Sequence, residues 1–243
     1  MIDNRKFNKV LTVVLIIIGV AILVVLGFVG YDIIQSYYIN KGAKDVIDVF
    51  DKEVNQMAQN EINTTNNNDV SDNSNTYNEK SNTENVTNNS SNSNNSNHTS
   101  NISQKKNTIS LKYKGFDVMG KIEIPKTNVN YPVLSKATIS SMEVSVGITY
   151  GPGLNEIGNT VIMGHNYRNN ALFSKNNKLD IGDIIYITDL SGNRVKYTIY
   201  NKYETTSTDF DYATRDTAGK REISLASCTD DSSSRLIIWA SAD

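Results

Sequence analysis

Inside "KVLTVVLIIIGVAILVVLGFVGYD", the 20 consecutive residues from Val10 to Val29 carry no charge. As an α-helix rising about 1.5 Å per residue, such a run reaches about 30 Å, the thickness of the hydrocarbon layer of a bilayer. A segment of this kind is expected to be a membrane helix rather than part of a soluble core. Arg5, Lys6 and Lys9 lie just before it and Asp32 just after. Positive flanks stay on the cytoplasmic side, so the N-terminus should be inside and everything after Tyr31 outside. A cleaved secretory signal is the competing reading, but its apolar core is usually about 7 to 15 residues long and no small-x-small cleavage site follows here. The expectation is a cytoplasmic tail over 1–9, a transmembrane anchor over 10–30 and a single-pass protein of the cell membrane.

Beyond the anchor, residues 31–59 place Val46, Ile47, Val49, Phe50, Val54 and Met57 at roughly helical spacing among charges. A juxtamembrane helix is expected, serving as a rigid spacer, as an accessory helix packed on a domain, or as a helix lying on the lipid surface. Residues 60–108 are dominated by Asn and Ser and nearly lack large apolar side chains. Such a stretch cannot bury enough surface to offset the entropy of ordering it, so a disordered linker is expected. Its Asn-x-Ser/Thr matches arise by chance in so biased a composition, and His98 within it reads as a solvated residue without a role.

From Ile109 the pattern changes to short β-rich runs separated by turn residues, marking a domain over 109–243. Strands are expected at Val118–Ile124, Glu143–Ile148, Thr160–Met163, Ile184–Thr188, Val195–Tyr203, Ile223–Cys228 and Leu236–Ala240. Breaks such as "PGLNEIGN", "DIGD" and "DLSGNR" carry the Gly, Asn and Asp that tight turns favour. Strands at this spacing, with no long amphipathic helix between them, suggest an all-β domain, either an antiparallel barrel or a sandwich. Its 15 Lys and Arg balance 15 Asp and Glu, so it lacks the basic footprint of a nucleic-acid binder.

The chain has one cysteine, Cys228. Outside the cell cysteines usually pair, which a lone one cannot do within its own chain. A small buried hydrophobe is its ordinary fate. Strand alternation argues otherwise. Along Ile223–Cys228 it sets Ile223, Leu225 and Ser227 on one side and Ser224, Ala226 and Cys228 on the other. After the turn-prone "TDDSSS", Leu236, Ile238 and Ala240 form a core set and leave Arg235, Ile237 and Trp239 outside. Along Thr160–His165, Val161, Met163 and His165 share a side. Cys228 and Arg235 are therefore expected on one outer surface, with His165, the only histidine of the domain, also at a strand end.

Those three residue types suit acyl transfer. A thiolate is the nucleophile, and a nearby cation favours it over the thiol. An imidazolium can donate a proton to a leaving amine. A guanidinium keeps its charge and offers several donors in a fixed fork, suited to an oxyanion or to a peptide backbone.

The stretches "GKIEIPKTNVNYPVL" (Gly120–Leu134), "GNTVIMGHN" (Gly158–Asn166), "LFSKNNKLDIGDIIYIT" (Leu172–Thr188) and "ISLASCTDDSSSRLIIWA" (Ile223–Ala240) resemble, in this order, the sortases of Gram-positive bacteria. The order His, Cys, Arg is that of the family. Its usual Thr-Leu-x-Thr-Cys signature is spelled Ser224-Leu225-Ala226-Ser227-Cys228 here, with a hydroxyl kept at each threonine position. The resemblance implies a closed eight-stranded β-barrel carrying a membrane-anchored cysteine transpeptidase. Such an enzyme cuts a C-terminal sorting signal of the Leu-Pro-x-Thr-Gly kind on a secreted protein. It holds the acyl part as a thioester and passes it to an amine of peptidoglycan precursor or of a pilin. By position, Cys228 matches the nucleophile, His165 the acid/base and Arg235 the arginine, with Ser227 and Ala226 the candidates for substrate contact.

The spellings "IPKTNVNYPV" and "GHN" resemble class B sortases. The short Thr205–Arg221 connection, the compact Cys-to-Arg loop and the N-terminal anchor lean toward class A or D. No cofactor is expected. Several sortases bind calcium, and Asp180, Asp183, Glu204, Asp209 and Asp211 raise that question, with a solvated acidic rim as the other reading. Two rival functions stand beside this one. A hydrolytic cysteine peptidase would use the same trio, although papain-like enzymes place the cysteine before the histidine and on a helix start. A non-enzymatic surface β-domain would leave Cys228 dispensable.

Overall fold

The apolar run and the amphipathic stretch after it form one uninterrupted α-helix, α1 (Asn4–Asn66, 63 residues). It belongs to a computed structural model that describes residues 4–66 and 109–242. The helix extends through Asn66 into the first residues of the expected linker; the rest of that linker, with His98, lies outside the described residues. In the apolar part, Leu15, Leu23 and Phe28 are exposed, and the helix is long and apolar enough to cross a membrane. Farther along, Ser36, Ile39, Ala43, Val46, Ile47 and Phe50 are buried. Their spacing of three and four draws one stripe down the helix, which packs chiefly beside strand β3 (Val129–Leu134). Val49 falls on the solvent side at 45% exposure. Of the three roles open to this helix, packing on the domain is the one observed.

Gly42 faces Tyr113, where a Cβ would meet the phenol oxygen at 2.6 Å. Lys121 supplies a polar anchor. Its ammonium is nearly buried under α1 and pairs with Asp51 at 2.6 Å. Fully burying one side chain such as Phe50 contributes about 1.5–3 kcal/mol, so the stripe is a substantial part of the domain's core.

The remaining strands are β1 (Lys112–Tyr113), β2 (Phe116–Ile124), β4 (Val146–Tyr150), β5 (Gly158–Met163), β6 (Ile184–Asp189), β7 (Arg194–Thr205), β8 (Arg221–Cys228) and β9 (Arg235–Ala242). They hydrogen-bond in the order β1-β2-β3-β4-β5-β8-β9-β7-β6, and a further β2–β6 pairing closes the ring. Eight strands thus form a closed barrel, with the two-residue β1 appended to β2. Closure leaves the barrel strands no free edge. Two pairs, β3–β4 and β5–β8, are parallel, which corrects the expectation of a wholly antiparallel barrel. Parallel neighbours need a crossover. The β3–β4 crossover contains the short helix α2 (Ile139–Met142), opened by a capping box between Thr138 and Ser141. The β5–β8 crossover contains β6, β7 and the short helix α3 (Asp211–Thr214).

The expected strand at Glu143–Ile148 shifts accordingly, because Glu143 is the C-cap of α2 and the strand begins at Val146. β3 is a strand the sequence pattern did not announce. Inside the barrel, Ile122, Ile162, Ile187, Leu225 and Ile238 pack together. Outside, Val161, Ala226 and Ile237 are covered by Tyr212 and Ala213 of α3.

Candidate active site

The parallel β5–β8 ladder sets Met163 level with Ala226. Two residues farther along each chain come His165 and Cys228. On the other side of β8, the antiparallel ladder with β9 ends on the pair Cys228 and Arg235. Side chains two apart on a strand share a face, so all three continue the outward row of Val161, Ala226 and Ile237 past its α3 cover. The alternation in the sequence is realised here.

Arg235 donates from Nη1 to Cys228 Sγ at 2.9 Å. His165, Cys228 and Arg235 line one hollow of about 60 Å³ together with Met142, Met163, Gly164 and Ser227. Cys228 is partly exposed. A second, more polar hollow of about 250 Å³ lies against Cys228 and includes Asn166, Asn177, Glu204, Asp230 and Asp231. A roomier cleft of about 530 Å³ lies at the start of β5, lined by Tyr150, Pro152, Ile157 and Arg215, and contains none of the three residues. Ser227 borders the small hollow, whereas Ala226 is fully buried in the outer cluster.

The Cys-to-Arg turn is tight. Thr229 N donates to Ser234 O at 3.1 Å. Asp231 accepts from Thr229 Oγ1 at 2.7 Å and from Ser233 N at 3.0 Å. These donors hold the Asp231 carboxyl down at about 2.

His165 sits past Gly164, where a Cβ would stand 2.7 Å from Val146 Cγ1 and 2.9 Å from Phe173 Cδ2. Only glycine lets the strand end run this close to the core. The imidazole stacks on Tyr167, ring centroids 4.8 Å apart. Burial pushes the His165 pKa below the ordinary imidazole value; the Glu143 carboxylate opposes that shift and the Arg235 charge adds to it. The resting imidazole is therefore biased toward its neutral form.

Two polar residues absent from the sequence-based candidates tie the histidine loop to the cysteine strand. Asn166 Nδ2 donates to the backbone carbonyl of Cys228 at 3.1 Å and to Asp230 Oδ1 at 2.8 Å. Asp230 also accepts from Asn177 Nδ2 at 2.9 Å, and its carbonyl accepts from Arg168 Nη1 at 2.7 Å. The available signal was positional: Asn166 follows the histidine and Asp230 stands two residues after the cysteine.

Three of the acidic residues weighed for calcium, Asp180, Asp183 and Asp209, have protein partners. Lys126 pairs with Asp180 at 2.7 Å and with Asp183 at 2.8 Å. Asp209 accepts from Asp211 N at 2.9 Å and from the Thr205 hydroxyl. Among the described residues, no three His, Cys, Asp or Glu side chains gather as a metal site.

The family model described as "Sortase domain" matches residues 122–243. Similar solved structures include sortase C-1 from Actinomyces oris, 26% identical over 52% of this chain and 73% of that one, TM-score 0.48. A lid mutant of sortase A from Corynebacterium diphtheriae is 29% identical over 52% and 70% of the two chains, TM-score 0.48. A sortase D5 transpeptidase of Clostridium perfringens is 26% identical over 52% and 79%, TM-score 0.48. Among curated proteins, none matches this chain.

Proposed function

Because this chain belongs to the sortase family, we propose that it is a membrane-anchored cysteine transpeptidase acting on secreted proteins that carry a C-terminal Leu-Pro-x-Thr-Gly-like sorting signal. The family is one of cysteine transpeptidases, and the observation that carries the assignment to particular residues is the 2.9 Å contact between Arg235 Nη1 and Cys228 Sγ in a hollow shared with His165.

In this reading the Cys228 thiol passes its proton to the neutral His165 imidazole as the sulfur attacks the scissile carbonyl carbon and forms a carbon–sulfur bond. The carbonyl electrons move to oxygen, giving a tetrahedral oxyanion near the Arg235 fork. The oxyanion collapses, the carbon–nitrogen bond breaks, and the leaving amine takes its proton from the His165 imidazolium. An incoming amine, from peptidoglycan precursor or a pilin lysine, then attacks the thioester and surrenders a proton to the neutral imidazole. The new amide forms as the thiolate departs. No cofactor enters any step. Residues 10–30 act as the membrane anchor, with the barrel on the outer face, where such substrates are held.

The test uses the full chain in detergent micelles with a Leu-Pro-Glu-Thr-Gly peptide, with and without an amine acceptor. Transfer in wild type and its loss in Cys228→Ala are expected. Cleavage that ignores the acceptor would favour the hydrolytic peptidase, and unchanged chemistry in Cys228→Ala would reject the assignment.

A further inference from the structure

The loop that carries His165 has an unusual backbone and a hydrogen-bonded attachment to α1. Between Asn166 and Leu172, Arg168, Asn170 and Leu172 adopt positive φ of 58°, 69° and 52°. A branched, bulky residue such as Leu172 rarely takes the left-handed conformation, and surrounding contacts must enforce it. Leu172 is 2% exposed, and its N–H donates to the Tyr131 hydroxyl at 2.9 Å.

The phenol is itself buried at 3% exposure. It has one proton to give, and it donates that proton to Oδ1 of Asn40 on α1. Asn40 Nδ2 in turn donates to Ser36 Oγ at 3.3 Å. Leu172 bridges to Asn166, and Phe173 N donates to the carbonyl of His165 at 3.1 Å. Ile39 and Ala43 of α1 share a hydrophobic cluster with Leu172 and Phe173, and Tyr167, which stacks on His165, packs against it. A continuous set of contacts therefore runs from the juxtamembrane helix through one phenol to the imidazole.

We propose that Asn40 and Tyr131 are positioning residues for His165, so that docking of α1 on the barrel holds the catalytic loop in its working conformation. The proposal rests on the reading of His165 as the acid/base. An undocked helix would uncover the phenol and leave the Tyr131 hydroxyl to water, which competes with the Leu172 N–H for its oxygen. The phenol would then swing away and release Leu172. The accessory helix becomes part of the catalytic machinery rather than a spacer.

The experiment compares full-length wild type, Tyr131→Phe, Asn40→Leu and Asn40→Asp in detergent micelles. The last keeps the acceptor oxygen. Two quantities are read: kcat and KM on the Leu-Pro-Glu-Thr-Gly peptide, and the titration midpoint of His165 by NMR of labelled histidine, with His98 as the internal reference. Tyr131→Phe and Asn40→Leu should each lower kcat about tenfold with KM within about twofold, as expected for a displaced catalytic group. Each should move the His165 midpoint up toward the ordinary imidazole value, because a loosened ring gains water. Asn40→Asp should retain most of the activity and the wild-type midpoint.

Asn40 is solvent-accessible on α1, so its variants remain informative where Tyr131→Phe fails to fold. An unchanged kcat and midpoint in folded Asn40→Leu would overturn the proposal, as would equal losses in Asn40→Asp and Asn40→Leu. Absence of peptide turnover in wild type would count against the transpeptidase reading alone, and the His165 midpoint would still decide this one.

Discussion

Asn166 and Cys228 are joined directly, side-chain amide to backbone carbonyl, at 3.1 Å. The link crosses from the loop that carries the imidazole to the strand end that carries the sulfur, and the bond to Asp230 makes it double. Asn166→Ala should lower kcat about tenfold while costing only about 1 kcal/mol of stability, the usual net worth of a partly exposed hydrogen bond. Steady-state kinetics and urea unfolding on the same preparation check both halves.

Arg235 approaches sulfur through one nitrogen, Nη1, and the rest of its planar fork can serve an oxyanion or a peptide carbonyl. Lysine keeps the charge and loses the fork. Arg235→Lys should therefore cut turnover by about a hundredfold or more, the scale of losing an oxyanion donor. Near-wild-type turnover would reject that role.

The lowered His165 pKa has a consequence for stability. An unfolded imidazole takes up its proton near about 6.5, whereas the folded one resists until lower pH. Between those values the unfolded chain binds more protons, so stability falls as pH drops through the window. The urea midpoint should decline from pH 7 toward pH 5 more steeply in wild type than in His165→Gln.

Arg215 and Glu222 pair at 2.6 Å with only 11% and 9% of their side chains exposed. The guanidinium also lies 4.6 Å from the Trp239 ring, and Tyr200 donates to Glu222 at 2.7 Å. Removing one partner leaves a buried charge alone. Glu222→Leu should cost about 3–5 kcal/mol, and Arg215→Met with Glu222→Leu should recover most of it. Denaturant titrations of the two variants give the comparison.

Much of this molecule is legible without coordinates wherever a two-residue period operates. Ile223 and Leu225 point into the barrel, Ala226 and Cys228 away from it, and Leu236 and Arg235 divide the same way, because a pleated strand has no other option. β3 is less legible, since Pro132 has no N–H to give and argues against a strand. The ladder to β4 involves only Val133 and Leu134, so the proline precedes it. The parallel pairing of β5 with β8 depends on contacts more than sixty residues apart in sequence, which no local pattern encodes. Only the later part of the stripe on α1, Val46, Ile47 and Phe50, was visible as a period. What it packs on was not, and neither was Asn40, a polar residue whose use depends on a phenol 91 positions away.

α1 also fixes an altitude. Gly30, at the end of the apolar run, and Ser36, the first buried contact with the barrel, are separated by less than two helical turns, about 9 Å of rise. Were residues 10–30 seated in lipid, as proposed, the docked α1 would hold the barrel on a short mast. Cys228 would then sweep a thin shell above the headgroups, and lengthening residues 67–108 would leave the depth of that shell unchanged.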